Sequence, residues 1–130
     1  GALPNRLRKD RWDAHRGFRR DSAAELGTYA IRPCPTQDFN GAELLYFVSY
    51  PAFADRAEWD LLDLPAAGVA TRDREVVFHG NLDPGERLSL TLRGVKRSPA
   101  GLGHWIQVSG AVDGRLLAEI FTMKAIAADR

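Results

Sequence analysis

Hydrophobic positions fall into two regimes along this chain of 130 residues. The first is the run from Gln37 to Trp59, QDFNGAELLYFVSYPAFADRAEW: between Gly41 and Ala54 its one charged residue is Glu43, and the remainder there is apolar, aromatic or small. A surface helix alternates faces with a period of about 3.6 residues, whereas a helix that is apolar nearly all round is buried. The apolar part is too short to cross a bilayer, which takes roughly 20 residues. The pattern therefore predicts a central helix over about 42–62, wrapped by something else. Pro51 removes one helical hydrogen bond, so either the helix kinks there or Ser49 caps a helix that begins near Tyr50.

After Gly68 the period falls to two. Val69–Gly80 reads as a strand, with Val76 and Phe78 alternating against Glu75, Val77 and His79. In Arg87–Val95, Leu88, Leu90 and Leu92 share one face. Trp105–Val112 and Arg115–Ile126 complete the set, joined at Asp113-Gly114, a two-residue hairpin signal. Asp83-Pro84-Gly85 is a turn, and Lys96–Gly103 reads as a polar loop. Before the helix, Ala24–Arg32 reads as a first strand, stopped by Pro33 and Pro35. The fold class expected is α+β: an antiparallel sheet of about five strands around one long helix. An uncovered sheet edge invites pairing with a second copy or a sister domain.

Charge adds an N-terminal feature. Residues 1–20 carry seven Arg and Lys against two Asp, a net +5, and the whole chain is +1, leaving −4 for the rest. Residues 1–23 are read as a basic arm or linker and 24–130 as the folded domain. Residues 6–22 fit a short charged helix with Leu7, Trp12, His15 and Phe18 roughly on one side. A basic arm raises a nucleic-acid reading, but it offers no stacking platform, and a solvated segment docked by Trp12 and Phe18 fits better; no nucleic acid and no membrane are expected as partners. Cys34 is the one cysteine, so an internal disulfide is impossible and a reducing cytoplasm suits the chain. GALPNRLRKDRW has no apolar stretch typical of a signal peptide.

The central run also carries a resemblance. Asn40-Gly41-Ala42-Glu43-Leu44-Leu45-Tyr46-Phe47-Val48-Ser49-Tyr50 is similar, without a gap, to the motif that precedes the central helix in hot-dog thioesterases of the hydroxybenzoyl-CoA type. DFNGAELLYFVSYPAFADRAEW and FHGNLDPGERL resemble more closely the biosynthetic hot-dog family that includes the acyltransferase/decarboxylase of leinamycin biosynthesis. The resemblance covers about 26–125. It implies a hot-dog fold binding an acyl thioester, on coenzyme A or on the phosphopantetheine of an acyl carrier protein, with no tightly bound cofactor. It also implies a homodimer or a pairing with a second hot-dog domain. Acyl transfer or decarboxylation in polyketide-type biosynthesis is the leading expectation; a thioesterase or dehydratase relative, or a non-catalytic carrier-docking domain, is the alternative.

One departure shapes the chemistry. Where the thioesterase motif has a catalytic aspartate, this sequence has Asn40, although Asp38 lies two residues earlier. An amide is neither nucleophile nor base, but it donates a hydrogen bond to a developing oxyanion; Asn40 is equally a good helix cap. The Gly41 amide lies where a helix N-terminus favours negative charge. Tyr46 and Tyr50 are candidates for the tyrosine used in acyl transfer, against core packing. Ser49 is a substrate contact or a cap. His79, before Gly80-Asn81, suits a general acid, against an ordinary surface histidine. Asn81, Arg93, Lys96 and Arg97 are candidate substrate contacts, the basic ones for phosphate groups. Asp55, Arg56 and Glu58 are read as surface or interface charges. His15 and His104 have no partners at metal-ligand spacing, so no metal site is expected.

Overall fold

The structure, a computed structural model, describes residues 12–34, 38, 49–81 and 85–127. A small hairpin comes first, β1 (Ala14–His15) and β2 (Phe18–Arg19), then one 3₁₀ turn (Arg20–Ser22). There follow β3 (Gly27–Ile31), helix α1 (Ser49–Leu61), β4 (Val69–Phe78), β5 (Leu88–Ser98), β6 (Gly101–Gly110) and β7 (Leu116–Ile126). Strands β3 to β7 form one antiparallel sheet in the order β3-β5-β6-β7-β4. The chain leaves one sheet edge, runs through the helix and enters the opposite edge; the β5–β6–β7 meander fills the space between.

Period two explains which side chains face the helix. Leu88, Leu90 and Leu92 of β5, Leu102, Ile106 and Val108 of β6, and Ala118 and Ile120 of β7 are buried with Tyr50, Phe53, Ala54 and Ala57 of α1. Those helical positions recur at three and four residues, one stripe of an α-helix. The last turns of the expected helix are thus seen, with Pro51 inside the described helix; residues 42–48 lie outside the described residues. The leucine alternation of β5 is as the sequence predicts; a turn does fall at Asp113-Gly114, where Gly114 has φ 70°, but the connection between β6 and β7 spans 111–115 rather than two residues.

Two expectations change. The segment expected as a loop over 96–103 is a tight hairpin: β5 continues to Ser98 and β6 begins at Gly101. Its glycine-rich composition reflects close approach rather than irregularity. A Cβ on Gly101 would lie 1.9 Å from the Lys124 carbonyl oxygen. The second change concerns 12–22, which form the hairpin and 3₁₀ turn rather than helix. Arg16 (φ 50°) and Gly17 (φ 82°) are both left-handed, as a two-residue hairpin turn requires and a right-handed helix forbids.

This hairpin packs on the sheet face opposite the helix. Trp12, Phe18, Val77, Trp105 and Phe121 form a second buried cluster there. Trp12 meets Trp105 edge-on with ring centroids 5.0 Å apart, and Phe18 lies over Gly94, where a Cβ would come within 2.8 Å of its ring. His15 Nε2 lies 2.5 Å from Glu75 Oε1, and Arg16 donates to Glu75 and Asp73, so β4 holds the hairpin by charge as well.

Candidate functional site

Besides the His15–Glu75 contact of the hairpin, each face of the sheet carries a histidine with a buried side chain paired with a buried glutamate. On the outer face, the irregularity between Leu92 and Gly94 frees Arg93 from strict alternation. Its Nε donates to Gln107 Oε1 at 2.9 Å and its Nη1 to the Ala24 carbonyl at 3.1 Å. Gln107 Nε2 donates in turn to Glu119 Oε1 at 3.0 Å, and Trp105 Nε1 donates to the same oxygen at 3.1 Å. Glu119 Oε2 faces His79 Nε2 at 3.2 Å, with both side chains at most 2% exposed. Register explains the meeting, since Gln107 and Val77 both lie opposite Glu119 and His79 follows on the same face as Val77. Burial pushes the Glu119 carboxyl up, but the hydrogen bonds from His79, Gln107 and Trp105 outweigh it and hold the group below the usual carboxylate range.

On the inner face, Glu58 is 3% exposed and receives three donors. His104 Nε2 approaches Glu58 Oε2 at 3.0 Å, Lys124 Nζ approaches the same oxygen at 3.0 Å, and Arg74 donates to Oε1. Arg74 also donates to Thr122, Asp55 and the Pro51 carbonyl, so its guanidinium is fully engaged across β4, β7 and α1. Burial raises the Glu58 carboxyl, yet the His104 hydrogen bond, the Arg74 charge and Lys124 bring it down to about 2. Glu58 is therefore not the surface charge that its sequence context suggests. Asp55 and Arg56 are exposed as expected.

Of the residues singled out from the sequence, Asn40, Gly41 and Tyr46 lie outside the described residues. Tyr50 sits in the core, its ring 5.1 Å from that of Phe78 and 6.0 Å from that of Phe53, and burial pushes its phenol up to about 12. Ser49 is buried at the start of the described helix. The Phe78 contact sets the N-terminal half of α1 beside the end of β4 that leads into His79. Asn81 accepts Arg115 Nη2 on its carbonyl at 2.5 Å. Lys96 and Arg97 stand near the exposed tip of the β5–β6 hairpin, and Lys96 Nζ is 5.7 Å from the centroid of the Phe18 ring. Arg93, by contrast, is turned inward and joined to His79 through Gln107 and Glu119. Asp38 closes a turn, accepting the Cys34 N–H at 2.6 Å and donating its own N–H to the Cys34 carbonyl at 2.8 Å.

The partners Glu119, Gln107 and Trp105, and the whole Glu58 cluster, were not picked out from the sequence. A signal existed for both acids. Glu119 is the one acid within the apolar strand LLAEIFTMKAI, and Glu58 falls in the stripe of Tyr50, Phe53, Ala54 and Ala57. A lone charge on a buried face implies a partner. Clefts also flank the exposed Trp59, one of about 340 Å³ bordered by Tyr29 and Arg56 and one of about 170 Å³ bordered by Leu64 and Lys124. Among the described residues, no group of three His, Cys, Asp or Glu is placed to hold a metal ion, and no helix is long and apolar enough to cross a membrane.

This architecture, one helix packed on a five-stranded antiparallel sheet in this strand order, is the hot-dog fold. The structure is similar to that of the 1,4-dihydroxy-2-naphthoyl-CoA thioesterase of Synechocystis, with a TM-score of 0.69 and 21% identity over 79% of this chain and 82% of that one. It is likewise similar to 4-hydroxybenzoyl-CoA thioesterase of a Pseudomonas strain, with a TM-score of 0.69 and 15% identity over 82% and 88% of the two chains. An aspartate-to-asparagine variant of 4-hydroxybenzoyl-CoA thioesterase, in complex with 4-hydroxybenzoyl-CoA, matches with a TM-score of 0.68 and 16% identity over 82% and 89%. No protein-family profile matches the sequence, and no curated protein does.

Proposed function

We propose that this chain binds an acyl thioester of coenzyme A and hydrolyses it to a free acid and a thiol. The observation that carries the reading is the fold shared with two acyl-CoA thioesterases over about four-fifths of the chain. Hydrolysis needs a base for water, an acceptor for charge on the carbonyl oxygen, and an exit for the thiol. An asparagine at position 40 cannot be the base, which on the sequence alone favours acyl transfer or decarboxylation. His79 removes the difficulty, because an imidazole can take the proton. Asn40 then keeps its oxyanion-holding role with the Gly41 amide. An aspartate-to-asparagine variant of 4-hydroxybenzoyl-CoA thioesterase is found in complex with 4-hydroxybenzoyl-CoA, so such a change is compatible with thioester binding in that protein.

In the reaction, the water oxygen bonds to the thioester carbon as its proton passes to His79. The carbonyl oxygen takes the electron pair. Collapse breaks the C–S bond, and the imidazolium returns the proton to the leaving thiolate. Lys96 and Arg97 are assigned to the phosphates of coenzyme A, and Ser49 and Asn81 to the substrate chain. Tyr46 is assigned to a wall of the acyl pocket, whereas Tyr50 is core packing. A second copy, or a second hot-dog domain on an open sheet edge, completes the site.

Mass spectrometry of protein, thioester and products after mixing with a panel of acyl-CoA and acyl-carrier-protein thioesters tests this reading. Free thiol with an intact acid is expected. Loss of carbon dioxide, or an acyl group on a tyrosine or on the carrier, would replace hydrolysis by decarboxylation or transfer.

A further inference from the structure

The outer-face hydrogen bonds have a direction, and the direction ends at His79. A guanidinium only donates, so Arg93 fixes the Gln107 amide with its carbonyl oxygen toward Arg93 and its NH₂ toward Glu119. An indole N–H also only donates, so Trp105 and Gln107 together occupy Glu119 Oε1. Glu119 Oε2 is left for His79, and an ionised carboxylate only accepts. The proton of a neutral His79 must therefore sit on Nε2, and Nδ1 carries the lone pair. The His104–Glu58 pair on the inner face obeys the same rule, but there Nδ1 is buried without a partner among the described residues. At His79 the same rule leaves Nδ1 as the accepting nitrogen, one residue beyond Phe78, whose ring packs on Tyr50 of α1.

We propose that Glu119 is a positioning residue that holds His79 as the Nε2–H tautomer and so presents Nδ1 as the proton acceptor for the attacking water. This rests on the hydrolytic reading above. Arg93, Gln107 and Trp105 act one step further out, by fixing which oxygen of Glu119 faces the ring.

Glu119→Gln is the informative variant, because it keeps the shape and reverses the logic. Trp105 and Gln107 still demand an acceptor, so the new amide turns its oxygen toward them and its NH₂ toward His79. His79 Nε2 must then accept, the proton moves to Nδ1, and the base is lost. The experiment reads the His79 tautomer by long-range proton–nitrogen NMR correlation in wild type and E119Q, beside steady-state kinetics on acyl-CoA substrates and thermal unfolding of both. Nε2–H in wild type, Nδ1–H in E119Q, a kcat lower by roughly 10²–10⁴-fold with KM nearly unchanged, and a retained unfolding transition are expected. An Nδ1–H tautomer in wild type would overturn the proposal, and so would wild-type kcat in an E119Q protein whose tautomer had inverted. His79→Gln is the second variant and should lose kcat to a similar extent; full kcat there would also overturn it. Wild type inert toward every thioester would contradict the hydrolytic reading itself, while the tautomer measurement, which needs no substrate, would still decide whether Glu119 sets the ring.

Discussion

Glu58 and His104, 46 residues apart in sequence, meet at 3.0 Å between the helix and the inner face of the sheet. With Arg74 and Lys124 on the same carboxylate, the contact ties α1 to β4, β6 and β7 at one point. Removing the carboxylate leaves Lys124 without its counter-charge and Arg74 with the exposed Asp55 alone; breaking a buried ion pair in this way typically costs about 3–5 kcal/mol. Glu58→Gln should therefore lower the free energy of unfolding by that order in chemical denaturation at neutral pH. A loss below about 1 kcal/mol would show that the cluster contributes little net stability.

The same carboxylate sets a pH dependence. Its folded value of about 2 lies below the ordinary 4.5, so between those values the unfolded chain binds more protons than the folded one. Stability from this group is present above pH 4.5 and is lost as pH falls through about 2. Glu119 and Glu75 are shifted the same way and act in the same sense. Denaturation midpoints measured from pH 6 down to pH 2 should fall steeply in wild type and less steeply in Glu58→Gln; parallel curves would contradict the assignment.

Trp12 is 1% exposed, and its indole N–H is buried without a partner among the described residues. Two substitutions separate its packing from its polarity. Trp12→Ala removes the edge contacts to Trp105 and Phe121 and should cost about 3–5 kcal/mol. Trp12→Phe keeps much of the apolar contact and deletes an unsatisfied donor, whose burial costs about 1–3 kcal/mol. Its net loss should stay under about 1 kcal/mol. Equal losses in the two variants, read from thermal unfolding, would refute this division.

Gly94 gives Phe18 its seat. A Cβ there would lie 2.8 Å from the Phe18 ring, so Gly94→Val should lift the N-terminal hairpin from the sheet. Arg16, Arg19 and Arg20 would then be open to trypsin. Limited proteolysis should cut the variant in this segment several-fold faster than wild type while the sheet stays folded. Unchanged cleavage would mean that the charge contacts of His15 and Arg16 hold the hairpin without Phe18.

The sheet and helix were legible in the sequence because each obeys one simple period, as the leucines of β5 and the Tyr50–Phe53–Ala57 stripe show. The β5–β6 hairpin was less legible, because Gly101 reads as a loop residue unless the Lys124 carbonyl beside it is known. The N-terminal hairpin misled for a related reason: a left-handed Arg16 is not announced by its residue type. His79 stood out in the sequence, but its partner did not. Glu119 lies 40 residues away, and the register of three strands brings it to the ring. Charges whose partners are that distant look unpaired in one dimension, and Glu58 looked like a surface residue for the same reason.

The central claim is that water, activated by a base, cleaves an acyl thioester. A single-turnover reaction with an acyl-CoA in heavy-oxygen water, with enzyme in excess, tests it most directly. The account predicts acid carrying one heavy oxygen from the first turnover, one equivalent of free thiol, and no acyl adduct on the protein. Acid without the heavy oxygen would place the first attack on a protein carboxylate, and release of no acid at all would contradict hydrolysis.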